Sequence, residues 1–329
     1  MSAVGGSTAS AAGAASVGAE SIRRAAAGLE GVAVRTPLAA LPPIEAQPGV
    51  EVLLKCEFLQ PVGAFKIRGA YTAVSRLSAE ERSRGVITHS SGNHGQAIAF
   101  AARQFGIPAV IVMPADAPGI KQEGVRRHGA EIALVEDRTE RLPRCEALAA
   151  ERGMVVVPPY ENPDVIAGQA TCGLEILEQC PAVRTILVPV GGGGLIAGIA
   201  SAVRHFGPGV RVIGVEPEGA PKLGRALEAG HPVRLERSDS IADGLLPHAI
   251  GTLPFAVMDG VVTEAVQVSE DEIRAAVRYL YETTGHRIEP SGAVTIAALL
   301  AGRVRVEGPA VAIASGGNVD PQLFDRLVH

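Results

Sequence analysis

No stretch of this sequence stays apolar for the roughly 18 or more residues that a membrane-spanning helix needs. No cluster of lysine and arginine stands out in a chain of net charge −5, which argues against nucleic acid as a partner. The four cysteines, Cys56, Cys145, Cys172 and Cys180, are scattered, with no Cys-x-x-Cys pair and no zinc spacing. They read as buried free thiols of a cytoplasmic protein in a reducing compartment. The opening stretch MSAVGGSTASAAGAASVGAE, residues 1–20, lacks the basic start and apolar centre of a secretory signal. Its Ala/Gly/Ser low complexity predicts a disordered tail, with the first helix beginning near Ser21. There is no internal repeat. There is also no G-x-x-x-x-G-K-[ST] and no G-x-S-x-G, which disfavours a nucleotide triphosphatase and a serine hydrolase built on Ser91 and His94.

What remains is a hydrophobic fraction of 47% and a mean hydropathy of +0.23 over 329 residues, enough for one large core or two smaller ones. Short Val/Ile-rich runs read as strands at 50–58, 85–90, 109–114, 131–136, 154–159, 185–190, 211–216 and 310–315. Longer helical patterns lie between several of them, such as GQAIAFAARQFG, PRCEALAAERG and LIAGIASAVRHFG. That alternation predicts an α/β chain with mainly parallel sheets. Ser78 with Glu81, and Ser269 with Glu272, have the spacing of capping boxes. The compact β-α run at 85–160 is expected to form a small domain. Residues 21–84 and 161–329 would then make a discontinuous larger one.

Three glycine-rich turns each follow a predicted strand: SSGNHG (90–95), GGGG (191–194) and SGGN (315–318). Glycine lets backbone N–H groups converge there, and a following helix start adds partial positive charge. Two such turns can hold two anions, a phosphate and a carboxylate. Gly192, Gly194 and Ala197 with Glu216 also satisfy a dinucleotide fingerprint. That reading leaves the other two turns without a role. It also leaves Lys66, set in the apolar run GAFKIRG, unexplained. A lysine held in a dry turn has a depressed pKa and can form a Schiff base, as pyridoxal phosphate requires.

QPVGAFKIRGAY, SSGNHGQAIAFAA, DVIAGQAT, VPVGGGGLIAGIA, IADGL, IEPSGAV and ASGGNVD occur in that order between residues 20 and 325. Together they resemble the threonine/serine dehydratase and serine racemase family of fold-type II pyridoxal-phosphate enzymes. The resemblance implies a tryptophan-synthase-β-like fold of two three-layer α/β/α domains and a homodimer. It also implies pyridoxal 5'-phosphate as cofactor and a small amino acid as substrate. Lys66 would carry the cofactor and take the substrate's Cα proton, with Phe65 beside the ring. Asn93 would bond the phenolic oxygen, Gly191, Gly192, Gly193 and Gly194 would cradle the phosphate, and Ser315 would face the pyridine nitrogen. Gly244 and Glu289 would line the cofactor site. Ser90, Ser91, Asn93 and His94 would bind the substrate carboxylate, and Tyr160 would lie near the substrate side chain. In racemases the serine matching Ser91 also acts on the opposite face of the substrate.

The implied activity is elimination from L-threonine or L-serine, giving a 2-oxo acid and ammonia. Alternatives are serine racemisation and dehydration of 3-hydroxyaspartate or phenylserine. A serine donates to a neutral pyridine nitrogen but cannot keep a proton on it as an aspartate would. Ser315 therefore favours expulsion of a β-substituent over transamination. Arg138, Arg141 and Arg144 offer a partner for a second substrate carboxylate, or else form a solvated helix face. Relatives that bind a divalent cation place oxygen ligands at positions matching Glu216, Ala220 and 222. Here 222 is lysine, so no metal is expected, and the Lys222 ammonium would either stand near Glu216 in its place or point into solvent. The sequence ends at His329, soon after SGGNVD, so no isoleucine feedback domain is expected.

Overall fold

The computed structural model describes residues 17–90 and 92–329. Its strands are β1 (Leu38–Ala40), β2 (Val52–Cys56), β3 (Val86–His89), β4 (Ala109–Pro114), β5 (Glu131–Val135), β6 (Val155–Val156), β7 (Thr185–Pro189), β8 (Arg211–Pro217), β9 (Val262–Val268) and β10 (Ala310–Ala314). They form a six-stranded sheet, β1-β2-β10-β7-β8-β9, and a four-stranded sheet, β5-β4-β3-β6. Every pairing is parallel except β1 with β2. Parallel strands need crossovers, and helices supply them.

The helices are α1 (Ala19–Gly28), α2 (Lys66–Ser75), α3 (Ala79–Ser83), α4 (Asn93–Phe105), α5 (Gly119–Arg127), α6 (Arg141–Arg152), α7 (Pro163–Gln179), α8 (Gly194–Phe206), α9 (Lys222–Ala229), α10 (Thr252–Met258), α11 (Glu270–Thr284), α12 (Pro290–Leu300) and α13 (Pro321–Val328). Helices cover both faces of both sheets, so the strands read as continuous apolar runs. Alternate side chains still choose opposite layers. Ile111 and Met113 of β4 pack with Ile67, Val74 and Ile98, whereas Val110 and Val112 pack with Cys145 and Leu148 of α6. On the larger sheet, α12 lies over one face with Leu280 and Phe324, while α8 and Ile176 of α7 cover the other.

Both capping boxes form, with each serine accepting from the backbone three residues on and each glutamate returning the bond. All four cysteines are free and buried. No helix among the described residues is long and apolar enough to cross a membrane.

Two strands escape the sequence reading. β1 is only three residues long, and β9, VTEAVQV, is an edge strand with Glu264 and Gln267 interrupting its apolar run. β6 is shorter than its MVVVPP run suggests, because Pro158 and Pro159 remove ladder donors. At the N-terminus α1 starts at Ala19 rather than Ser21, and Val17 is buried with Ile22, Ile166 and Val257. Residues 17–20 thus belong to the folded chain and not to the tail expected over 1–20. The rest of that tail, 1–16, lies outside the described residues.

Candidate active site

Parallel strands end on one side of their sheet, and the loops after them converge there. Ser90 follows β3, Tyr160 follows β6, Gly191 follows β7 and Ser315 follows β10. All four line one cavity of about 510 Å³. Phe65, Lys66, Asn93, His94, Gly192, Gly193, Gly194, Gly244 and Glu289 line it too. The structure therefore brings together every described residue that the resemblance implies for the cofactor and the substrate. Ser91 lies outside the described residues.

The SGGN turn knits this region together. Phe65 donates its N–H to the Ser315 carbonyl at 3.0 Å, and Gly317 donates to Gly63 at 2.9 Å. The Asn318 amide donates to Val62 O and to Asn93 Oδ1, both at 2.9 Å. Asn93 in turn donates to Glu289 Oε1 at 2.5 Å. These bonds fix the start of α2, and Lys66 is its first residue.

Lys66 is half-buried, with its accessible part on the cavity. Its Nζ donates to the Pro159 carbonyl at 3.1 Å and lies 5.1 Å from the Phe65 ring centre. No carboxylate pairs with it among the described residues. Burial alone pulls its pKa down to about 8. At neutral pH more of it would be free amine than of an ordinary lysine.

The glycine turn after β7 leads straight into α8. Gly193 has φ +95°, which only glycine adopts freely. A Cβ on Gly192 would meet the Tyr160 ring at 2.1 Å, so Tyr160 packs directly against the turn. The first amides of α8 have no partner within the helix, and Gly191 to Gly194 line the cavity. The missing side chains of Gly192 and Gly194 make room for Tyr160.

On the other wall, Ser90 Oγ accepts from Gly92 N at 3.0 Å, shaping the turn into α4. His94 is 2% exposed, and its Nε2 pairs with Val157 O at 3.1 Å, so Nε2 carries the proton. Burial and the nearby Lys66 charge hold the His94 pKa down to about 3. His94 is thus neutral, and its backbone at the α4 start is better placed than its ring to hold an anion.

Several lining residues were not anticipated. Lys121 and Asp243 form an ion pair of 2.6 Å inside the cavity. Asp243 sits in the quoted IADGL motif and could have been suspected, whereas Lys121 in GIKQEG looks like any helix lysine. His89, Arg234, Ser238, His248 and Ser291 also line the wall. Of the three arginines raised above, Arg144 is exposed and Arg138 pairs with Asp116 at 3.0 Å. Arg141 is partly buried and faces the cavity.

Away from the cavity, the Lys222 ammonium is fully buried. It donates to Ala220 O at 2.9 Å and stands 3.7 Å from Glu216 Oε2. It therefore reaches the same two oxygens that the expected cation ligands would offer. Glu216 also accepts from Leu223 N at 2.8 Å and Gly224 N at 2.9 Å, at the start of α9.

A family model for pyridoxal-phosphate-dependent enzymes matches residues 29–316. The chain belongs to that family. Pyridoxal 5'-phosphate is accordingly its cofactor, and the dinucleotide fingerprint at 192–216 is a glycine turn used otherwise. The residues present fit the group: a desolvated amine with no carboxylate beside it among the described residues, a glycine turn at a helix start, and a serine at the end of β10. The L-threonine ammonia-lyase of Thermotoga maritima is 43% identical over 312 residues, spanning 94% of this chain and 78% of that protein. The L-threo-3-hydroxyaspartate ammonia-lyase of Saccharomyces cerevisiae is 41% identical over 285 residues, 85% of this chain and 86% of that protein. Among solved structures, maize serine racemase superposes with a TM-score of 0.89 at 38% identity, covering 95% and 96% of the two chains. The fold is thus that of fold-type II pyridoxal-phosphate enzymes.

Proposed function

We propose that this pyridoxal-phosphate enzyme is an ammonia-lyase that converts L-threonine or L-serine to a 2-oxo acid and ammonia. The observation that carries the reading is Lys66: a desolvated amine with no counter-ion among the described residues, set where the three glycine turns meet. Bound, the cofactor supplies a sink for the electrons released at the substrate's Cα. Lys66 would hold the cofactor through its amine and, when free, would take the substrate's Cα proton. Gly191 to Gly194 and the α8 start would hold the phosphate, Phe65 would lie beside the ring, and Ser315 would face its nitrogen. Asn93 would reach the phenolic oxygen, with Gly244 and Glu289 lining the site. Ser90, Ser91, Asn93 and His94, at the start of α4, hold the substrate carboxylate, and Tyr160 bounds its side chain. The β-hydroxyl would then leave as water with the proton that Lys66 has taken, and the released enamine would hydrolyse to the 2-oxo acid and ammonia.

In this reading residues 85–160 are the substrate-side domain, and 21–84 with 161–329 the cofactor-side domain. The enzyme works as a cytoplasmic homodimer without a divalent cation. A second reading, favoured by Arg141 and Arg234 on the cavity wall, is a substrate with a second carboxylate, such as 3-hydroxyaspartate.

The test is a panel of L- and D-threonine, serine, phenylserine and 3-hydroxyaspartate, scored for 2-oxo acid and for chirality. L-Threonine or L-serine should give the highest kcat/KM. A preference for 3-hydroxyaspartate that Arg141→Leu abolishes would install the second reading. Rapid D-serine formation lost in Ser91→Ala would make the enzyme a racemase.

A further inference from the structure

The cavity holds a second buried lysine that the proposed reaction does not use. Lys121 belongs to α5, beside the four-stranded sheet, and is 2% exposed. Its stem lies on the turn into α4, where a Cβ on Gly92 would come within 2.3 Å of Lys121 Cδ. Its ammonium donates to Asp243 Oδ2 at 2.6 Å and lies 3.3 Å from Glu289 Oε2.

Both carboxylates come from chain that packs on the six-stranded sheet. Asp243 opens the 3-10 turn Asp243–Leu245, and Glu289 immediately precedes α12. The other oxygen of Glu289 accepts from Asn93, the first residue of α4. One ammonium therefore joins the two halves of the cavity, and its partner Glu289 grips the start of the helix that follows the Ser90 turn.

Charge makes the arrangement depend on Lys121. Burial raises the Glu289 pKa, and Asp243 raises it further, while Lys121 and the Asn93 amide oppose them. Without the ammonium, two neighbouring carboxylates would face each other in a dry site. Lys121 itself loses solvation on burial, yet Glu289 and Asp243 outweigh this and hold its pKa above the usual lysine range. It stays charged and is unsuited to exchange protons with substrate.

We propose that Lys121 is a positioning residue, whose ammonium ties the four-stranded sheet to Asp243 and Glu289 across the cavity and so holds Gly92 and Asn93 at the start of α4 ready for the substrate carboxylate. The last clause rests on the functional reading above; the tether itself does not.

The test compares wild-type holoenzyme with Lys121→Met, Lys121→Met/Asp243→Asn and Asp243→Asn. Two quantities are read: kcat and KM for the best β-hydroxy amino acid, and amide hydrogen exchange over 88–96 and 119–127. Lys121→Met should raise KM about tenfold or more with a smaller change in kcat, the signature of lost substrate positioning. Exchange should quicken in both segments. Adding Asp243→Asn should recover about threefold or more of the KM loss, because it removes the carboxylate repulsion. Should Lys121→Met not fold, Asp243→Asn alone weakens the tether and should raise KM about threefold, with faster exchange over 119–127. Wild-type exchange with unchanged KM in the folded variants would overturn the proposal, as would a fall in kcat alone. A wild type inactive on every β-hydroxy amino acid would defeat the functional reading instead, and the exchange data would still decide the tether.

Discussion

Two regions meet at the first turn of α2, and they treat positive charge in opposite ways. Below the turn, Arg68 is 1% exposed and bonds Glu57 through two nitrogens at 2.8 Å and Glu175 at 2.7 and 2.8 Å. Lys55 joins the cluster at 2.6 Å from Glu175, and Thr36 and Gln179 complete it. Above the turn, two residues earlier in sequence, Lys66 faces the cavity, and among the described residues its acceptor is a carbonyl. The chain evidently supplies counter-ions to buried cations where structure alone is at stake. It withholds them at one position, and there the amine is kept basic enough to react and neutral enough to attack.

Lys66→Ala breaks that contrast most severely. Turnover should drop about 10⁴-fold or more, since no other group can replace the amine. The visible absorbance of lysine-bound cofactor should vanish with it. The contrast sharpens in cofactor-free protein treated with an amine-directed acylating reagent. Lys66 should react with a midpoint near pH 8, where burial has set its pKa. Lys55 and Lys121, both paired, should lag behind. Retained turnover in the alanine variant, or Lys66 labelling that still climbs beyond pH 10, would defeat the assignment.

The paired side can be broken with Arg68→Met. Glu57 is fully buried, so removing its partner leaves an uncompensated charge, at a cost of about 3–5 kcal/mol. Burial by itself raises the Glu57 pKa, but Arg68 outweighs it and the net shift is downward. A depressed carboxylate contributes stability above its unfolded pKa and loses it as pH falls through the folded value. In the variant only the Lys55 charge and the Thr36 hydrogen bond still oppose burial, so Glu57 is neutralised more readily. The gap between wild type and variant should therefore be widest at neutral pH and narrow toward pH 4.5. Urea unfolding at several pH values measures it. Lys66→Met should cost almost nothing by the same assay, because no buried carboxylate loses a partner. An equal loss in both variants would erase the distinction between the two regions.

Most of this was legible along the chain because it depends on local pattern. Strand, glycine turn and helix start follow one another within a few residues at 85–95 and 185–195, so the anion-binding loops announce themselves. Lys66 was legible from its apolar flanks, and both capping boxes from their spacing. The failures share a different cause. Lys121, Asp243 and Glu289 are 122 and 46 residues apart along the chain and meet only through the packing of the two sheets. Arg234 and His248 lie in irregular chain between α9 and α10, with no period to fix their direction. β9 was missed because an edge strand exposes alternate residues, which breaks the apolar run that marks the central strands.

The Lys222 site carries the comparison to its smallest expected effect. Here a buried lysine is paired, as below α2, but only loosely: 3.7 Å to Glu216, with its hydrogen bond spent on a carbonyl. Burial pulls its pKa to about 8 despite the carboxylate. The ammonium supplies one positive charge where Glu216 and the Ala220 carbonyl could give a hard cation two oxygens. Wild-type activity should therefore survive EDTA, and millimolar Mg²⁺ or Ca²⁺ should leave its Tm unchanged. Lys222→Glu replaces the charge with a third oxygen ligand. That variant should be destabilised without metal, as two carboxylates share a buried site, and regain about 1–3 kcal/mol when a divalent cation is present well above its Kd. A cation response that is the same in both proteins would mean that Lys222 does not occupy the position of a metal ion.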